Sequence, residues 1–460
     1  MRGYMSERVP LGRAVLFTVT VLALTAVDAS SQEVTYARDV APIIQENCQQ
    51  CHMEGSIAPI HLTNYDEARR YARRIRTKVT DRVMPPWHLD RTVGIQEFKN
   101  DRSLTDEEIE TIVTWVDNGT PFGDETDLPA PLDLRDPDGF KLASDFGEPD
   151  LIVKSEPYTI EAVTQDKWFR PVTPTGVTEP RWVKAIEIRP VGKDTKTIIH
   201  HVLAFLMQDE ENSEYSVGPV ITSDRGGSMG GAGLFMEWAV GKDGEIFPDG
   251  AGKLMLPGSR IRWEVHMHAM GKVVEDAQVE LGVWFYDVGE EPKNRTRLRM
   301  FDARGRNGLD IPPDEMAVTQ QFHMLRWPTR LENFQPHMHM RGKIMMIEAM
   351  YPNGRSEVLS RVDNFQWNWH VNYIYADHAA PLLPAGTTLI VTAWHDNTRD
   401  NPTNPDYTQW IGWGDRTVDE MAHAWIDVTY LSEEDCEAEV TKREAMKAQE
   451  SSGTSKSPNR

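Results

Sequence analysis

The sequence predicts a multidomain protein in which a small all-α unit precedes two all-β, jelly-roll-like sandwich domains. With 460 residues, the chain is too long for one ordinary domain. Apolar residues recur at helical spacing before residue 125, whereas short alternating runs separated by turn residues dominate after residue 150. A helical start followed by many short strands is typical of a small helical domain joined to β-sandwiches.

The first 29 residues predict an export signal that is cleaved from the mature protein. Arg2, Arg8 and Arg13 form a basic region before an apolar run at 14–27, and residues 27–29 fit a small-residue cleavage site. The apolar run is short for a membrane span, and no later stretch approaches spanning length. We therefore expect a protein without stable membrane insertion, located in a bacterial periplasm or secreted.

The predicted helical unit covers residues 32–125. A helix that carries Ile44 leads into the first cysteine, and a second helix begins at a capping box in which Thr105 is the N-cap and Glu108 reaches back. Gly119 supplies the C-terminal stop of that second helix. A helix before a cofactor motif and a closing helix behind it would wrap a small cofactor.

Four further segments complete the chain. Residues 126–148 are rich in Asp, Pro and Gly and predict a linker. Residues 149–305 and 306–432 each predict one β-sandwich, because their alternating runs are separated by turn residues. Residues 433–460 are charged and poor in large apolar side chains, which predicts a disordered tail.

Charge and cysteine content restrict the partners. The formal net charge of −22 argues against nucleic acid and anionic membranes, since both would be repelled. The chain has three cysteines, Cys48, Cys51 and Cys436. If a cofactor takes the first two, no intrachain disulfide can form, and Cys436 remains free or links two molecules.

The motif Cys48-x-x-Cys51-His52 is the most informative in the chain. This spacing is typical of c-type haem attachment, in which two thiols form thioethers and the adjacent imidazole binds the iron. A zinc site would need a second ligand pair, and no further cysteine pair is present. The motif predicts one covalent haem c, so the all-α unit is expected to be a cytochrome c-like domain.

The second axial ligand of that haem is expected to be Met84. This methionine opens Met84-Pro-Pro-Trp-His88, where the prolines hold the backbone and a thioether would favour ferrous iron. His88, His61 and Met53 are alternatives, and Met84 could instead be a packing residue under the tryptophan.

Histidines are concentrated in the β region. Six of the chain's 14 histidines lie there in three clusters: His200-His201, His266-x-His268 and His337-x-His339. Residues at i and i+2 share one face of a strand, so each of the last two pairs can offer a metal two imidazoles. Adjacent residues face opposite ways on a regular strand, so the doublet could serve one metal only where the strand bends or ends. Surface strands often carry histidine, but three clusters in one exported redox protein favour metal binding.

The order of these residues, followed by Met421, resembles the copper type II, ascorbate-dependent monooxygenase family, which includes peptide-amidating and dopamine-hydroxylating enzymes. That family carries a His-His doublet, a lone histidine on a strand, an H-x-H pair and a later methionine, and the resemblance covers about residues 150–432. It implies two copper sites, an electron-transfer copper bound by His200, His201 and His266, and a catalytic copper bound by His337, His339 and Met421.

Ligand chemistry agrees with this resemblance, because imidazoles suit copper and a thioether stabilises Cu(I). His268 could replace His266, and His423 could compete with Met421. Two departures limit what is implied. Animal members are braced by disulfides, which this chain cannot form, and Gln335 stands where peptide-amidating members have an arginine, so peptide amidation is not implied.

The N-terminal unit is also similar to cytochrome c-like units that combine Met-Pro-Pro-Trp-His with a later Phe-Lys-Asn-Asp-Arg-Ser-Leu segment. In this chain these segments are residues 84–88 and 98–104. Such units resemble ones fused to copper monooxygenase-like modules.

Together these features predict an exported haem–copper monooxygenase, an oxidoreductase. Electrons from a soluble donor or an ascorbate-like reductant would pass through the haem to the all-histidine copper. Dioxygen would react at the methionine-ligated copper, and a C–H bond of a small organic substrate would be hydroxylated. The alternative is a non-catalytic haem/copper electron-transfer or Cu(I)-binding protein. A third interpretation makes His200, His201 and His266 a zinc hydrolase site.

Overall fold

The computed structural model describes residues 33–132, 134, 138–192, 194–210, 232–305 and 308–453. The predicted export signal at residues 1–29 lies outside this part of the chain. Among the described residues, no helix combines the length and the hydrophobicity that crossing a membrane requires.

The first part of the described chain is helical. Its elements are a π-helix at Tyr36–Val40, α1 at Ala41–Asn47, α2 at Tyr65–Thr80, α3 at Asp106–Asp117, a 3₁₀ turn at Glu125–Asp127 and α4 at Ala143–Phe146. The predicted capping box of α3 is confirmed: the Glu108 N–H donates to the Thr105 hydroxyl at 3.1 Å, and the Thr105 N–H donates to the Glu108 carboxylate at 2.8 Å. Ile44, Ile112 and Trp115 are fully buried where these helices meet.

The next part is β-sheet with one short helix, α5, at Thr195–Ile198. Its strands are β1 Leu151–Lys154, β2 Tyr158–Ile160, β3 Lys167–Phe169, β4 Val172–Pro174, β5 Arg181–Val191, β6 Ile199–Met207, β7 Ala232–Ala239, β8 Glu245–Ile246, β9 Ala251–Met255, β10 Arg260–Met267, β11 Val274–Phe285 and β12 Asn294–Asp302.

The last part is again β-sheet and ends in a helix, α6, at Glu433–Gly453. Its strands are β13 Asp310–Ile311, β14 Met316–Met324, β15 Thr329–Leu331, β16 Asn333–His337, β17 Gly342–Met350, β18 Ser356–Val362, β19 Tyr373–Ile374, β20 Leu382–Leu383, β21 Thr388–Asp396, β22 Ile411–Gly412 and β23 His423–Tyr430.

Sheets dominate the structure, as the sequence predicts. The largest sheet has the order β1-β11-β5-β9-β12-β23-β15-β20 and also pairs β16 with β23. A second sheet has the order β3-β10-β6-β7, and a third has the order β14-β21-β17-β18. One apolar core lies within residues 153–285 and another is formed mainly by residues 301–430, which is the layering expected of β-sandwiches.

A self-contained all-α domain is not evident, which corrects the expectation for residues 32–125. The loop after α2 leaves the helices and places Trp87 and Leu89 in the second β core, where both are at most 7% exposed. The Trp87 ring packs edge-on against Tyr373 with ring centroids 4.7 Å apart. Large apolar side chains in the loop gain more burial against the sheet than the small helical core can provide.

The segment predicted as a linker, residues 126–148, is partly docked on the first β core. Phe140 and Leu142 are buried beside Trp284. The main-chain N–H groups of Lys141 and Leu142 both donate to the Glu187 carboxylate at 2.9 Å. Two apolar side chains in an otherwise polar segment were enough to anchor it.

The prediction of a disordered tail is wrong for residues 433–453, which form α6. Cys436 is 8% exposed, so the helix buries one face. Arg443 pairs with Glu439 one turn earlier at 3.0 Å, and its guanidinium donates to two main-chain carbonyls of the loop after β19. Pairs at i and i+4 and docking onto the domain stabilise a helix whose composition alone suggests disorder. Like Cys436, Cys48 and Cys51 are free thiols.

Candidate metal centre

A β-bulge brings the histidine doublet to one side of its strand. In the ladder between β6 and β10, His201 lies opposite His266, and the next pair is Ile199 with Met267. His200 is therefore the extra residue of the bulge, which turns the strand locally. This irregularity explains how adjacent imidazoles, which would point apart on a regular strand, come to face the same partner.

The nitrogen atoms of the first histidine set converge. His200 Nδ1 lies 3.1 Å from His201 Nδ1, which in turn lies 3.4 Å from His266 Nδ1. Ligands at about 2.0–2.1 Å from a tetrahedral ion are about 3.3–3.4 Å apart, so this spacing fits a single ion. Three imidazoles suit copper or zinc. The rival His268 follows the end of β10, and its main-chain N–H donates to the Ile198 carbonyl at 2.9 Å.

A carboxylate and an aromatic ring lie against His266. Asp166 Oδ2 lies 3.2 Å from His266 Nε2, the nitrogen that faces away from the other two imidazoles. The indole of Trp168 stacks on the imidazole with ring centroids 4.6 Å apart and an interplanar angle of 5°. A carboxylate at the far nitrogen of a ligating histidine is a common way to set its tautomer, and it leaves Nδ1 for an ion.

The second histidine set, which contains His337 and His339, lies against the first set. The His337 ring lies 5.7 Å from the His201 ring, 4.4 Å from His370, 4.6 Å from His423 and 5.6 Å from His339, measured between centroids. The two sets predicted as separate copper sites therefore form one histidine cluster, defined as His200, His201, His266, His337, His339, His370 and His423. All of its members except the half-buried His200 are at most 6% exposed.

Main-chain contacts hold both His339, a member of this cluster, and Met421. His339 Nδ1 lies 3.2 Å from the Asp419 carbonyl oxygen, which leaves Nε2 for another partner. Met421 is half-buried and lies two residues before His423, and its carbonyl oxygen accepts from His395 Nε2 at 3.1 Å.

Sequence reasoning missed His370 and Glu237. The structure groups the ligand atoms of Glu237, His337 and His370 within 4.8 Å of one another, as it does those of His200, His201 and His266. His370 belongs to no histidine pair, so spacing could not find it. Glu237 did carry a signal, because it is a lone charged residue in the apolar run Leu234–Ala239 of β7.

Burial keeps the imidazoles neutral in the absence of metal. Burial, reinforced by neighbouring imidazoles, lowers the pKa of His200 to about 2 and that of His370 to about 3. Burial also lowers the pKa of His339 to about 4, although the Asp419 carbonyl opposes the shift. Burial likewise lowers the pKa of His337. Neutral imidazole is the ligating form, so the cluster is ready to bind metal at neutral pH.

The cysteine motif forms a turn directly after α1. The N–H groups of Cys51 and His52 both donate to the Cys48 carbonyl, at 3.2 and 3.0 Å. His52 Nδ1 lies 2.9 Å from the Ile60 carbonyl oxygen, so Nε2 is free to bind iron. Free thiols at this spacing beside an oriented histidine fit a covalently attached haem.

A cavity of about 370 Å³ adjoins the core of the helical unit. Met84 and His88 both line it, together with Val79, Leu104 and Ile109, which pack in the same core as Cys48. His88 Nε2 is buried without a hydrogen-bond partner among the described residues, and burial lowers the pKa of this histidine to about 4. Both candidate axial ligands thus face the cavity, whereas the other two rivals, His61 and Met53, are not among its lining residues.

Comparisons with known proteins add no functional assignment. No protein-family model and no curated protein matches the chain. Among solved structures, the chain is similar to the major capsid protein P2 of bacteriophage PM2, with 11% identity and a TM-score of 0.25 over 61% of this chain and 96% of that chain. It is also similar to the VP2 subviral particle of infectious bursal disease virus, with 9% identity and a TM-score of 0.15 over 62% and 72% of the two chains. Scores this low carry no argument about function.

Proposed function

We propose that this chain is an exported haem–copper oxidoreductase that acts as a copper-dependent monooxygenase on an organic substrate. The observation that supports this best is the histidine cluster. Buried polar atoms normally find partners, yet His337 Nδ1, His370 Nδ1 and both ring nitrogens of His423 have none among the described residues. Metal ions would supply the missing partners.

Each group of residues has a role in this proposal. Cys48, Cys51 and His52 hold haem c, with Met84 or His88 as its second axial ligand. His200, His201 and His266 hold the electron-transfer copper. The second, catalytic copper binds at His337, for which the family resemblance adds His339 and Met421. When bound, haem and copper supply one-electron transfer and dioxygen activation.

Contacts between the helical unit and the cluster support an electron route. Lys196 Nζ donates to the Gly55 carbonyl at 3.3 Å, and Lys196 precedes His200 by four residues. The His88 N–H donates to the Tyr373 hydroxyl at 3.2 Å, and Tyr373 follows His370 by three residues. The segment after the cysteine motif and the axial-ligand loop therefore both contact chain segments that lead into the cluster.

Metal and haem content test the proposal directly. The full-length protein should be purified from a bacterial host with a haem-attachment system, then analysed for iron, copper and zinc and by its pyridine haemochrome spectrum. We expect one iron and two copper ions per chain. Cys48→Ser should remove iron and leave copper, whereas His201→Ala should lower copper and leave haem. Zinc in place of copper, without haem absorbance, would contradict the proposal.

Activity separates the monooxygenase from the second candidate, a haem/copper electron-transfer or Cu(I)-binding protein. Burial favours that second candidate, because six of the seven cluster imidazoles are at most 6% exposed. Steady oxygen uptake that requires an added organic substrate, with ¹⁸O from dioxygen in the product, supports the monooxygenase. In stopped-flow mixing with oxygen, haem that stays reduced while copper turns over would rule out the electron route through haem.

A further inference from the structure

We propose that Glu237 and His370 join His337 as the ligands of the second metal ion, in place of His339 and Met421. The identity of the ion as copper rests on the proposed function, but the ligand set rests on the geometry of these three residues. Two imidazoles and one carboxylate would then hold the ion.

The three residues reach one point from separate elements. Glu237 lies on β7, His337 ends β16, and His370 lies in the loop between β18 and β19. Their ligand atoms all lie within 4.8 Å of one another. Glu237 is fully buried, and the two histidines are 4% and 2% exposed, so water does not solvate these atoms.

Each of the three residues has an unsatisfied polar atom. Glu237 Oε1, His337 Nδ1 and His370 Nδ1 are buried and have no hydrogen-bond partner among the described residues. A buried carboxylate oxygen or imidazole nitrogen without a partner is energetically unfavourable. A single ion would satisfy all three atoms at once.

Neighbouring groups engage the other polar atoms of His370 and Glu237, which leaves His370 Nδ1 and Glu237 Oε1 for an ion. The His370 Nε2–H donates to the Trp367 carbonyl at 3.2 Å, which places the lone pair on Nδ1. The other carboxylate oxygen, Glu237 Oε2, accepts from Gln335 Nε2 at 2.6 Å and lies 3.5 Å from Lys242 Nζ. Gln335 thus holds a carboxylate of this chain.

The buried charges also favour a cation at this point. Glu237 belongs to a buried network in which Lys242 and Lys253 contact three carboxylates, those of Glu237, Glu245 and Asp427. When all three carboxylates are ionised, they exceed the two ammonium groups by one negative charge. A metal ion beside Glu237 would balance it.

The donor set predicts which ions this site accepts. A carboxylate oxygen with two imidazoles suits divalent ions such as Cu²⁺, Zn²⁺ and Fe²⁺, whereas a thioether favours Cu⁺. We therefore expect the second copper to be held mainly as Cu(II), and we expect Zn²⁺ to occupy the site in a protein loaded with zinc alone.

Copper K-edge X-ray absorption on the wild-type holoprotein tests the ligand set without any substitution. We expect nitrogen and oxygen scatterers only. A sulfur scatterer near 2.3–2.5 Å would overturn the proposal, since it would return Met421 to the coordination sphere.

Variants give an independent test by metal stoichiometry. Glu237→Gln and His370→Gln should each lose one of two copper ions and keep the haem, whereas Met421→Leu should keep both. Haem content and the thermal unfolding midpoint of each variant show that it has folded. Loss of one copper in Met421→Leu with two retained in Glu237→Gln would overturn the ligand set and leave the proposed function standing.

A wild-type protein without copper would instead count against the proposed function. The ligand set can then be tested by titrating the metal-free protein with Zn²⁺. Wild type should bind two equivalents and Glu237→Gln one, and equal binding by both would overturn the ligand set.

Discussion

Asp166 shows how one residue outside the histidine motifs determines how a motif residue is used. Its carboxylate lies beside His266 Nε2 at 3.2 Å, while the same ring directs Nδ1 toward His201. Without this carboxylate, the imidazole could exchange tautomers or rotate, and the preorganised spacing of the three nitrogens would be lost.

Asp166→Asn should therefore weaken copper binding at the first site by roughly 10- to 100-fold, the usual effect of removing such a partner. Affinity can be measured by competition with a copper chelator of known strength. Glu161→Gln is the matched control, because it removes one exposed carboxylate from the same segment. The role of Asp166 is refuted by an unchanged affinity, or by an equal loss in the control.

At this scale the sequence identified residues that repeat in a pattern and missed those that do not. His200, His201 and His337 could be found because each sits in a histidine pair, and all three lie in the cluster. Asp166 and His370 come from irregular segments, and only the tertiary fold brings them to the histidine cluster. The choice of His266 over His268 likewise depends on where β10 ends.

Among the elements, the loop after α2 has the most consequences for function. It carries Met84 and His88 on the cavity side and packs Trp87 against Tyr373 on the other side. The His88 N–H is buried and donates to the Tyr373 hydroxyl at 3.2 Å. This contact ties the loop after α2 to the strand that follows His370.

Tyr373→Phe should destabilise the protein, because it leaves the buried His88 N–H without an acceptor. We expect a loss of about 1–3 kcal/mol in the free energy of unfolding, measured by urea denaturation. Tyr407→Phe serves as the control, since Tyr407 is 39% exposed and its ring contact with Arg399 does not need the hydroxyl. A loss no larger than in the control would show that the hydroxyl is not needed.

Elements with a local signal could be predicted, and elements that depend on docking could not. Helix α3 follows from its capping box and its apolar spacing, both of which are local. Helix α6 and the docked segment around Phe140 depend on contacts with distant residues. The bulge at His200 is also set by pairing between β6 and β10, which no single strand encodes.

At the scale of the whole molecule, folding forces many histidines to stay neutral. Burial first, and neighbouring imidazoles second, lowers the pKa of His200 to about 2 and that of His370 to about 3. In the unfolded chain a histidine titrates near ~6.5. Below that pH the unfolded chain therefore binds protons that the folded, metal-free protein does not.

Each such histidine should consequently lower the stability of the metal-free protein as the pH falls below about 6.5, by ~1.4 kcal/mol per pH unit. For His370 the loss should continue to about pH 3. Denaturant midpoints at pH 7, 6 and 5 in the presence of a chelator measure this slope. His370→Gln should reduce the slope. Burial raises the pKa of Glu420 to about 8, which gives a slope of the opposite sign, so the difference in slope between wild type and His370→Gln is the decisive quantity. An equal slope in the two proteins would contradict neutral burial of His370.

The overall division of the chain was predictable in outline because composition and periodicity change along it. The way in which the parts pair with one another could not be predicted, since it depends on pairing between strands far apart in sequence. β12 lies at the end of the segment predicted as the first sandwich, but it pairs with β23. The ladder contains eight residue pairs, from Arg295 opposite Tyr430 to Asp302 opposite His423. The same strand also meets β9 in a parallel pair.

That continuous ladder limits how reactants can arrive. The two β regions, residues 149–305 and 306–432, cannot separate by a hinge motion without breaking main-chain hydrogen bonds beside His423. In the proposed function, reactants would then reach the cluster through side-chain or loop movement near the half-buried His200, and turnover would depend more on the residues around His200 than on the flexibility of the connections between the two β regions.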